Sequence, residues 1–166
     1  MEHPLAEADR ILVRDDHYCF GCGRLNPFGL KLTFYRTADG VLAPFTPERR
    51  HEGYTGVVHG GIVTTVLDEV MAWALYAREI WAVTGDLRVR FRRPVAVGAP
   101  TIASARITAE RSRMLEVAAT LREKSSDRLL AEATGTFIRV PEEQAEAWRD
   151  RYLLDPSFPA APGSGG

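Results

Sequence analysis

The most apolar stretch of the chain, residues 57–77, predicts a buried helix. After His59-Gly60-Gly61, apolar residues occupy nearly every side of a helix with 3.6 residues per turn. A helix that is apolar all round packs inside a core and does not lie on a surface. Two acids interrupt the stretch, which therefore lacks the roughly 20 apolar residues that a membrane-spanning helix needs.

Alternation of apolar and polar residues predicts strands on both sides of this helix. Before it, residues 30–36 and 41–45 predict a hairpin with a turn at Ala38-Asp39-Gly40. After it, alternation predicts four long strands, of which the last three form an antiparallel meander. These four ranges are 81–93, 101–110, 114–122 and 129–140.

The order of these elements, β-β-α-β-β-β-β, predicts an α+β fold. A single sheet must bury one of its faces, and the apolar helix is the element able to cover it. We therefore expect a curved antiparallel sheet of about six strands wrapped around one long central helix.

The ends of the chain differ from its middle. Residues 1–18 are an N-terminal extension with a weak helical pattern, and residues 19–140 form the domain that holds the helix and the sheet. Residues 141–154 predict a short C-terminal helix. Residues 155–166 are rich in Pro, Gly and Ser, and we expect them to be disordered.

Composition excludes several classes of function. Apolar residues make up 45% of the chain and charged residues 26%, as in ordinary globular proteins. The net charge of −1 offers no bulk attraction to nucleic acid. Residues 1–18 lack the apolar core of a signal peptide, and there are only two cysteines, so we expect a cytoplasmic protein without a membrane partner.

Two neighbouring acids in the apolar helix, Asp68 and Glu69, are the first indication of chemistry. An unpaired buried carboxylate costs several kcal/mol or takes up a proton, so folding alone disfavours it. The second indication is the Gly60-Gly61 pair, because a helix start has backbone N–H groups without partners and glycine lets a substrate approach them. A helix start that can hold an oxyanion, followed by a carboxylate, suggests acyl transfer.

The pair Cys19 and Cys22 has two interpretations. A C-x₂-C pair is half of a zinc site, and His17 is a candidate third ligand. No second ligand pair follows at zinc-ribbon spacing, and no βαβ unit surrounds the pair as in thioredoxin-like sites. We therefore expect two small thiols in a tight loop, and no metal site.

The motifs together resemble the hotdog-fold acyl-CoA thioesterases, in their phenylacetate-pathway (PaaI-like) branch. The resemblance covers residues 19–140. It rests on HGG followed by six residues and an acid, on the C-x-G-C-G and N-P-x-G-L loop before it, and on the DLRVRFRRPV strand after it.

The resemblance implies roles for individual residues. Asp68 matches the family's catalytic carboxylate, a general base on water or a direct nucleophile. The N–H of Gly60 contributes to the oxyanion hole, His59 positions the thioester, and Thr84 matches a hydroxyl residue that holds the attacking water. Some relatives have an asparagine six residues before this histidine, where this chain has Gly53.

Further residues are candidates for substrate binding. Gly61 and Glu69 adjoin the implied catalytic pair. An arginine stripe follows the helix, and its guanidinium groups suit the phosphates of CoA, or else form the solvated face of a half-buried strand. The stripe consists of Arg88, Arg90 and Arg92.

The resemblance implies hydrolysis of an acyl-CoA thioester, with CoA as part of the substrate and no separate cofactor. In this family two chains pair, with the site between them, so we expect a homodimer or a dimer of dimers. The alternative is a non-catalytic acyl-CoA-binding or regulatory protein of the same fold. Sequence signatures of hotdog hydratases are absent.

Overall fold

A computed structural model of the chain describes residues 9–153, which form a seven-stranded antiparallel sheet packed against one long helix. The strand order in this sheet is β1-β2-β3-β7-β8-β9-β6, and β4 and β5 form a separate two-stranded ribbon. The α+β class and the sheet around a central helix are confirmed. The elements are β1 (Asp9–Arg10), β2 (Tyr35–Arg36), β3 (Val41–Phe45), β4 (Glu52–Tyr54), β5 (Val57–Val58), α1 (Gly60–Tyr76), β6 (Ala82–Phe91), β7 (Thr101–Glu110), β8 (Met114–Glu123), β9 (Leu129–Arg139) and α2 (Glu142–Tyr152).

The predicted apolar helix is α1, and it packs against β3, β6, β7, β8 and β9. Because its side chains are apolar around most of the circumference, it contacts the sheet and the loops before β2 at once. The ring of Phe34, for example, stacks on Trp73 with a centroid distance of 4.1 Å. The helix residues buried in this core are Val63, Val66, Leu67, Val70, Met71, Trp73, Ala74 and Leu75.

The predicted meander consists of β7, β8 and β9, and β9 pairs on its other side with β6. Alternate residues of these strands, such as Leu115, Val117 and Phe137, are buried against α1. Within residues 9–153, β6 pairs with β9 alone, so it is an edge of the sheet.

A bulge interrupts β6 at Gly85. Thr84 pairs with Phe137 and Asp86 with Thr136, so β6 has one residue more than β9 at this point. Since side chains alternate along a strand, one extra residue moves every side chain before it to the other face. Thr84 therefore lies on the same face as the buried Phe137, the face that α1 covers.

The first third of the chain differs from the prediction. The strand predicted over residues 30–36 is reduced to β2, because the N–H groups of Leu30 and Leu32 bond to the carbonyls of Phe20 and Gly21 and not to a strand. Residues 9–16 contain no helix, so the N-terminal helix is wrong over this part, where β1 pairs with β2.

The predicted C-terminal helix is present as α2. The expected disorder of residues 155–166 lies outside the described residues, as do residues 1–8 of the N-terminal extension. Neither helix in the described part of the chain is both long and apolar enough to cross a membrane.

Candidate active site

The start of α1 is held by its own residues and by the preceding loop. His59 is the N-cap, and its Nδ1 accepts a hydrogen bond from the Gly61 N–H at 2.9 Å. Because Nδ1 is an acceptor, a neutral imidazole has its proton on Nε2 and can donate there. The His59 N–H donates to the carbonyl of His51 at 2.8 Å, which fixes how the chain enters the helix.

The Gly60 N–H has no hydrogen-bond acceptor among residues 9–153, whereas the Gly61 N–H is occupied by His59. A Cβ on Gly60 would lie 3.4 Å from Cζ of Phe91, the last residue of β6. Gly60 thus lines a groove of about 450 Å³ together with His59, Tyr54 and Phe91. Of the two glycines, Gly60 has the N–H available to a bound oxygen.

Gly53, the position where some relatives have asparagine, lies directly beside this helix start. A Cβ there would be 3.0 Å from Cα and 3.3 Å from Cδ2 of His59. An asparagine at this place would reach the His59–Gly60 turn, so the glycine leaves the groove without that amide.

Asp68 lies two turns further along α1 and contacts the edge strand. The hydroxyl of Thr84 donates to its Oδ1 at 2.8 Å. Burial raises the pKa of Asp68 above its usual value, and the Thr84 hydrogen bond opposes that rise. A half-buried carboxylate with a raised pKa is a stronger proton acceptor than an exposed one, as a general base requires.

The structure brings Asp68 and Thr84 together but separates them from the helix start. Asp68 follows Gly60 by eight positions along α1, which corresponds to about 12 Å at a rise of 1.5 Å per residue. One thioester carbonyl cannot contact both within a single chain. Within one chain, His59, Gly60 and Gly61 at the helix start are therefore separate from the pair Asp68 and Thr84.

Glu69 faces a different neighbour from Asp68. Its Oε1 accepts a hydrogen bond from the indole N–H of Trp73 at 3.2 Å and lies 3.5 Å from Sγ of Cys19. Burial raises the pKa of Glu69 to about 7. The carboxyl group of Glu69 thus contacts the loop that holds Cys19 and Cys22, and it does not contact Thr84.

The pKa values of the two thiols of this loop shift in opposite directions. A hydrogen bond from Cys22 lowers the pKa of Cys19 to about 5, and the same contact together with burial raises the pKa of Cys22. Donor atoms of Cys19, Cys22 and Glu69 all lie within 4.8 Å of one another. Among residues 9–153, these three side chains have donor atoms close enough together to hold one metal ion.

Of the three arginines of the predicted stripe, Arg88 and Arg90 lie on β6 and Arg92 directly follows it, and all three are exposed. Arg88 and Arg90 pair in register with Thr134 and Glu132, on the face of the sheet opposite α1. Arg92 donates through Nε to Glu132 at 3.1 Å and also lines the groove beside Gly60. The groove therefore has a guanidinium at its rim, whereas Arg88 and Arg90 point to the outer face.

An apolar cavity of about 520 Å³ lies along the second half of α1. Ala72 lies one turn after Asp68, Ala82 lies two residues before Thr84, and both line it. Sequence reasoning missed this cavity because its far wall comes from α2, more than 70 residues later. Its aromatic lining consists of Tyr18, Trp73, Tyr76, Trp81, Trp148 and Tyr152.

Comparison with protein families gives a match between residues 55–130 and the thioesterase superfamily. The acyl-coenzyme A thioesterase THEM4 of Mus musculus is 25% identical over 93 residues, 56% of this chain and 40% of that protein. Acyl-coenzyme A thioesterase 13 of Homo sapiens is 25% identical over 109 residues, 64% of this chain and 78% of that protein. This chain thus spans less than half the length of THEM4.

Solved structures have the same fold. The thioesterase superfamily protein RHA08564 superposes with a TM-score of 0.69 at 21% identity, over 73% of this chain and 60% of that one. The E. coli PaaI protein from the phenylacetic acid degradation operon gives 0.62 at 18% identity, over 66% and 84%. A Streptococcus mutans UA159 protein, smu.793, bound to acetyl CoA, gives 0.62 at 18% identity, over 66% and 88%.

These matches agree with the geometry. An apolar central helix begins at a glycine with an unoccupied N–H, and it presents an acid to an edge strand of the surrounding sheet. The chain therefore resembles the thioesterase superfamily over residues 55–130 and has the fold of its solved members.

Proposed function

We propose that this chain hydrolyses acyl-CoA thioesters, with Asp68 as the base or nucleophile and the Gly60 N–H as an oxyanion donor. The observation that carries the proposal is the hydrogen bond from Thr84 to Asp68 at 2.8 Å, on a largely apolar helix whose next turn, at Ala72, lines an apolar cavity. A solvated surface acid or a structural ion pair would have neither feature. The names of THEM4, of acyl-coenzyme A thioesterase 13 and of the acetyl-CoA-bound neighbour support the substrate class.

The two halves of the proposed site, the helix start and the pair Asp68 and Thr84, meet when two chains pair along β6. Phe91, at the end of β6, lies against Gly60, and Thr84, near its beginning, holds Asp68. Antiparallel pairing of two β6 edges places the end of one strand opposite the beginning of the other. Gly60 of one copy then faces Asp68 of the second, which removes the separation of about 12 Å within one chain.

The free edge of β6 supports this pairing. A strand of 10 residues with unpaired backbone groups on one side is a ready template for another strand. Its side chains include exposed apolar residues, among them Val83 and Phe91. A two-fold dimer pairs the free backbone N–H and C=O groups of β6 and covers these residues, and it is the commonest form of assembly.

The reaction follows from these placements. The thioester carbonyl oxygen accepts from the Gly60 N–H of one chain, and His59 Nε2–H donates nearby to hold the substrate. Asp68 of the other chain removes a proton from water, whose oxygen attacks the carbonyl carbon, or the carboxylate itself attacks and water hydrolyses the resulting anhydride. The C–S bond breaks and CoA leaves as a thiolate that takes up a proton. One such N–H donor contributes about 3–4 kcal/mol in known oxyanion holes.

Each part of the substrate has a matching region. The acyl group enters the aromatic cavity along the second half of α1, and the pantetheine arm runs out through the groove beside Gly60. Arg92 stands at the rim of this groove, where it can meet a CoA phosphate.

A complementation experiment tests the shared site. Asp68→Asn removes the base. Gly60→Pro removes the N–H without disturbing the backbone, because proline suits the first position of a helix and His59 has the extended backbone (φ −61°, ψ 135°) that a residue before proline prefers. Its ring also adds atoms beside Phe91, so Gly60→Ala, which adds a Cβ there but keeps the N–H, is the matched control. Asp68→Asn and Gly60→Pro should each release little CoA from a panel of acyl-CoAs.

A mixed dimer of the two variants contains one intact site, with Gly60 from one chain and Asp68 from the other. About half of the wild-type turnover per dimer should return if the halves come from different chains. No recovery would place both groups in one chain. Binding of acyl-CoA without any release of thiol by the wild-type chain would favour the non-catalytic alternative.

A further inference from the structure

A second cluster of reactive side chains lies about 100° around α1 from Asp68. The proposed hydrolysis assigns it no role. The cluster joins the loop after His17 to α1 through Cys19, Cys22 and Glu69. Sγ of Cys19 lies 3.5 Å from Oε1 and 3.8 Å from Oε2 of Glu69, and the donor atoms of the three residues lie within 4.8 Å of one another.

The folding of the chain does not explain why Glu69 is an acid. It is mostly buried on an apolar helix, and no Lys, Arg or His in residues 9–153 forms an ion pair with it. Its described polar partners are one indole N–H, from Trp73, and the thiols, which are weak donors. A buried carboxylate without a positively charged partner is destabilising, and no side chain of residues 9–153 supplies that positive charge to Glu69.

Two glycines bring the thiols up to this acid. A Cβ on Gly21 would lie 2.4 Å from Cδ of Glu69, so only glycine lets the loop approach the carboxyl group this closely. A Cβ on Gly23, the residue after Cys22, would lie 2.3 Å from the carbonyl oxygen of His17 and 2.5 Å from the backbone N of Cys19, so the turn that brings Gly23 back against Cys19 also requires glycine. The two glycines of C-F-G-C-G therefore allow the close contact between this loop and Glu69.

We propose that Cys19, Cys22 and Glu69 bind a thiophilic divalent cation of the zinc class. With Zn–S near 2.3 Å and Zn–O near 2.1 Å, a tetrahedral ion holds sulfur and oxygen ligands about 3.6 Å apart. The distance of 3.5 Å between Sγ of Cys19 and Oε1 of Glu69 matches that separation. Two thiolates and a carboxylate carry three negative charges, which more than balance a divalent cation, whereas the acid alone does not.

A partner outside the ligand set orients it, as metal sites require. The Trp73 N–H holds Oε1 of Glu69 at 3.2 Å. His17 is not the third ligand that the C-x₂-C motif suggests, because its Nδ1 accepts from the N–H of Cys19 at 3.3 Å and its ring packs edge-on against Tyr152.

The cation leaves one position for water or another small ligand. Three protein ligands are typical of zinc sites with an open fourth position. Cys19 and Cys22 both line the aromatic cavity of about 520 Å³, so the fourth ligand enters from that side. The ion would fasten the loop to α1 one residue after Asp68.

Metal analysis of the intact chain tests the site without using turnover. The untagged chain is purified from zinc-supplemented cells, under reductant and without chelator, and its metal content is measured by mass spectrometry. We expect about one zinc per chain, as in other single zinc sites. Replacement of zinc by Co²⁺ should produce the thiolate-to-cobalt charge-transfer absorption that reports sulfur ligands.

Variants assign the ligands. Cys19→Ser, Cys22→Ser and Glu69→Gln should each bring the zinc content below about a tenth of the wild-type value, whereas Glu116→Gln, an exposed glutamate on β8, should not change it. Trp73→Phe keeps all three ligands and should weaken zinc affinity about 10–100-fold, which a competition titration measures even where a cysteine variant fails to fold.

Three results would overturn the site: wild-type chain without zinc or cobalt binding after full reduction, zinc retained when both cysteines are replaced, or a Cys19–Cys22 disulfide as the stable form under reductant. None of them bears on hydrolysis by Asp68, so the two proposals fail separately.

Discussion

Asp68 and Glu69 are consecutive acids on one helix, yet their surroundings have little in common. They point about 100° apart around α1. Asp68 meets a hydroxyl on the free edge strand β6, one turn before Ala72, which lines a cavity. Glu69 meets two thiols and an indole in a loop that glycines press against the helix.

The comparison teaches that burial alone does not assign a function to an acid. Burial raises the pKa of both carboxyl groups. What differs is what each can reach: Asp68 faces the edge where a second chain and a substrate can enter, whereas Glu69 is enclosed by groups of its own chain. This difference supports the proposals of a reaction at Asp68 and a binding role for Glu69.

The largest expected effect separates the two acids directly. Asp68→Asn should lower kcat about 10²–10⁴-fold, because a positioned base contributes that much. Glu69→Gln, which keeps an oxygen for the Trp73 N–H, should stay within about tenfold of wild type. Initial rates of CoA release measure both, with thermal unfolding as the control for folding. Equal losses in the two variants would contradict the division of roles.

A change on the Glu69 side should affect stability more than turnover. Gly21→Ala puts a Cβ 2.4 Å from Cδ of Glu69, and such overpacking typically destabilises by about 1–3 kcal/mol. Urea unfolding measures the loss. Gly56→Ala is the matched control: nothing lies within 4 Å of its Cβ, so only the strain of its φ of +78° remains. An unchanged unfolding free energy for Gly21→Ala would show that the loop does not press on Glu69.

On the Asp68 side, a smaller change should affect turnover more than stability. Thr84→Val keeps the shape of the side chain but removes the hydroxyl that donates to Asp68, and losing about 1.4 kcal/mol of hydrogen bonding lowers kcat about tenfold. Thr84→Ser retains the hydroxyl and should recover most of the rate. If Thr84→Ser is as slow as Thr84→Val, the hydroxyl is not what positions Asp68.

The smallest expected effect is on the free energy of unfolding and comes from His51. This residue is a reference for the two acids because it is also buried but contacts neither of them. Burial lowers its pKa below the usual 6.5, and its Nε2 has no hydrogen-bond partner in the described residues. Between the folded pKa and 6.5 the unfolded chain binds more protons, so the free energy of unfolding falls as the pH is lowered through this window.

One such group changes stability by at most about 1.4 kcal/mol per pH unit. His51→Asn preserves an acceptor for the Glu48 N–H, now bonded to Nδ1 at 2.9 Å, and should flatten the slope measured by urea unfolding at a series of pH values. A slope that persists unchanged would assign it to other groups.

Long elements with a regular pattern could be predicted, and short ones could not. The helix α1 and the strands of the meander carry a periodicity that repeats over ten or more residues, and periodicity reports which face is buried. The two-residue strands β1, β2 and β5 have no period to read, because they exist only through the strands with which they pair.

The face that Thr84 occupies illustrates what pattern alone misassigns. Strict alternation along β6 puts residue 84 on the same face as Arg88 and Arg90, away from the helix. The bulge at Gly85 reverses this, and it is visible only in the register with β9. The resemblance to a family suggested Thr84 for the site, whereas the local pattern would have excluded it.

By itself, the sequence determined that an apolar helix carrying two acids would pack against a sheet. It also determined that this helix would start at glycines, where backbone N–H groups have no partner within the helix. These are local properties of spacing and residue type. Only the tertiary structure decided which neighbour each acid meets, because Cys19 and Glu69 are 50 residues apart in the chain and Thr84 lies 16 residues beyond Asp68. Contacts over such separations depend on strand register and loop packing, which no local pattern encodes.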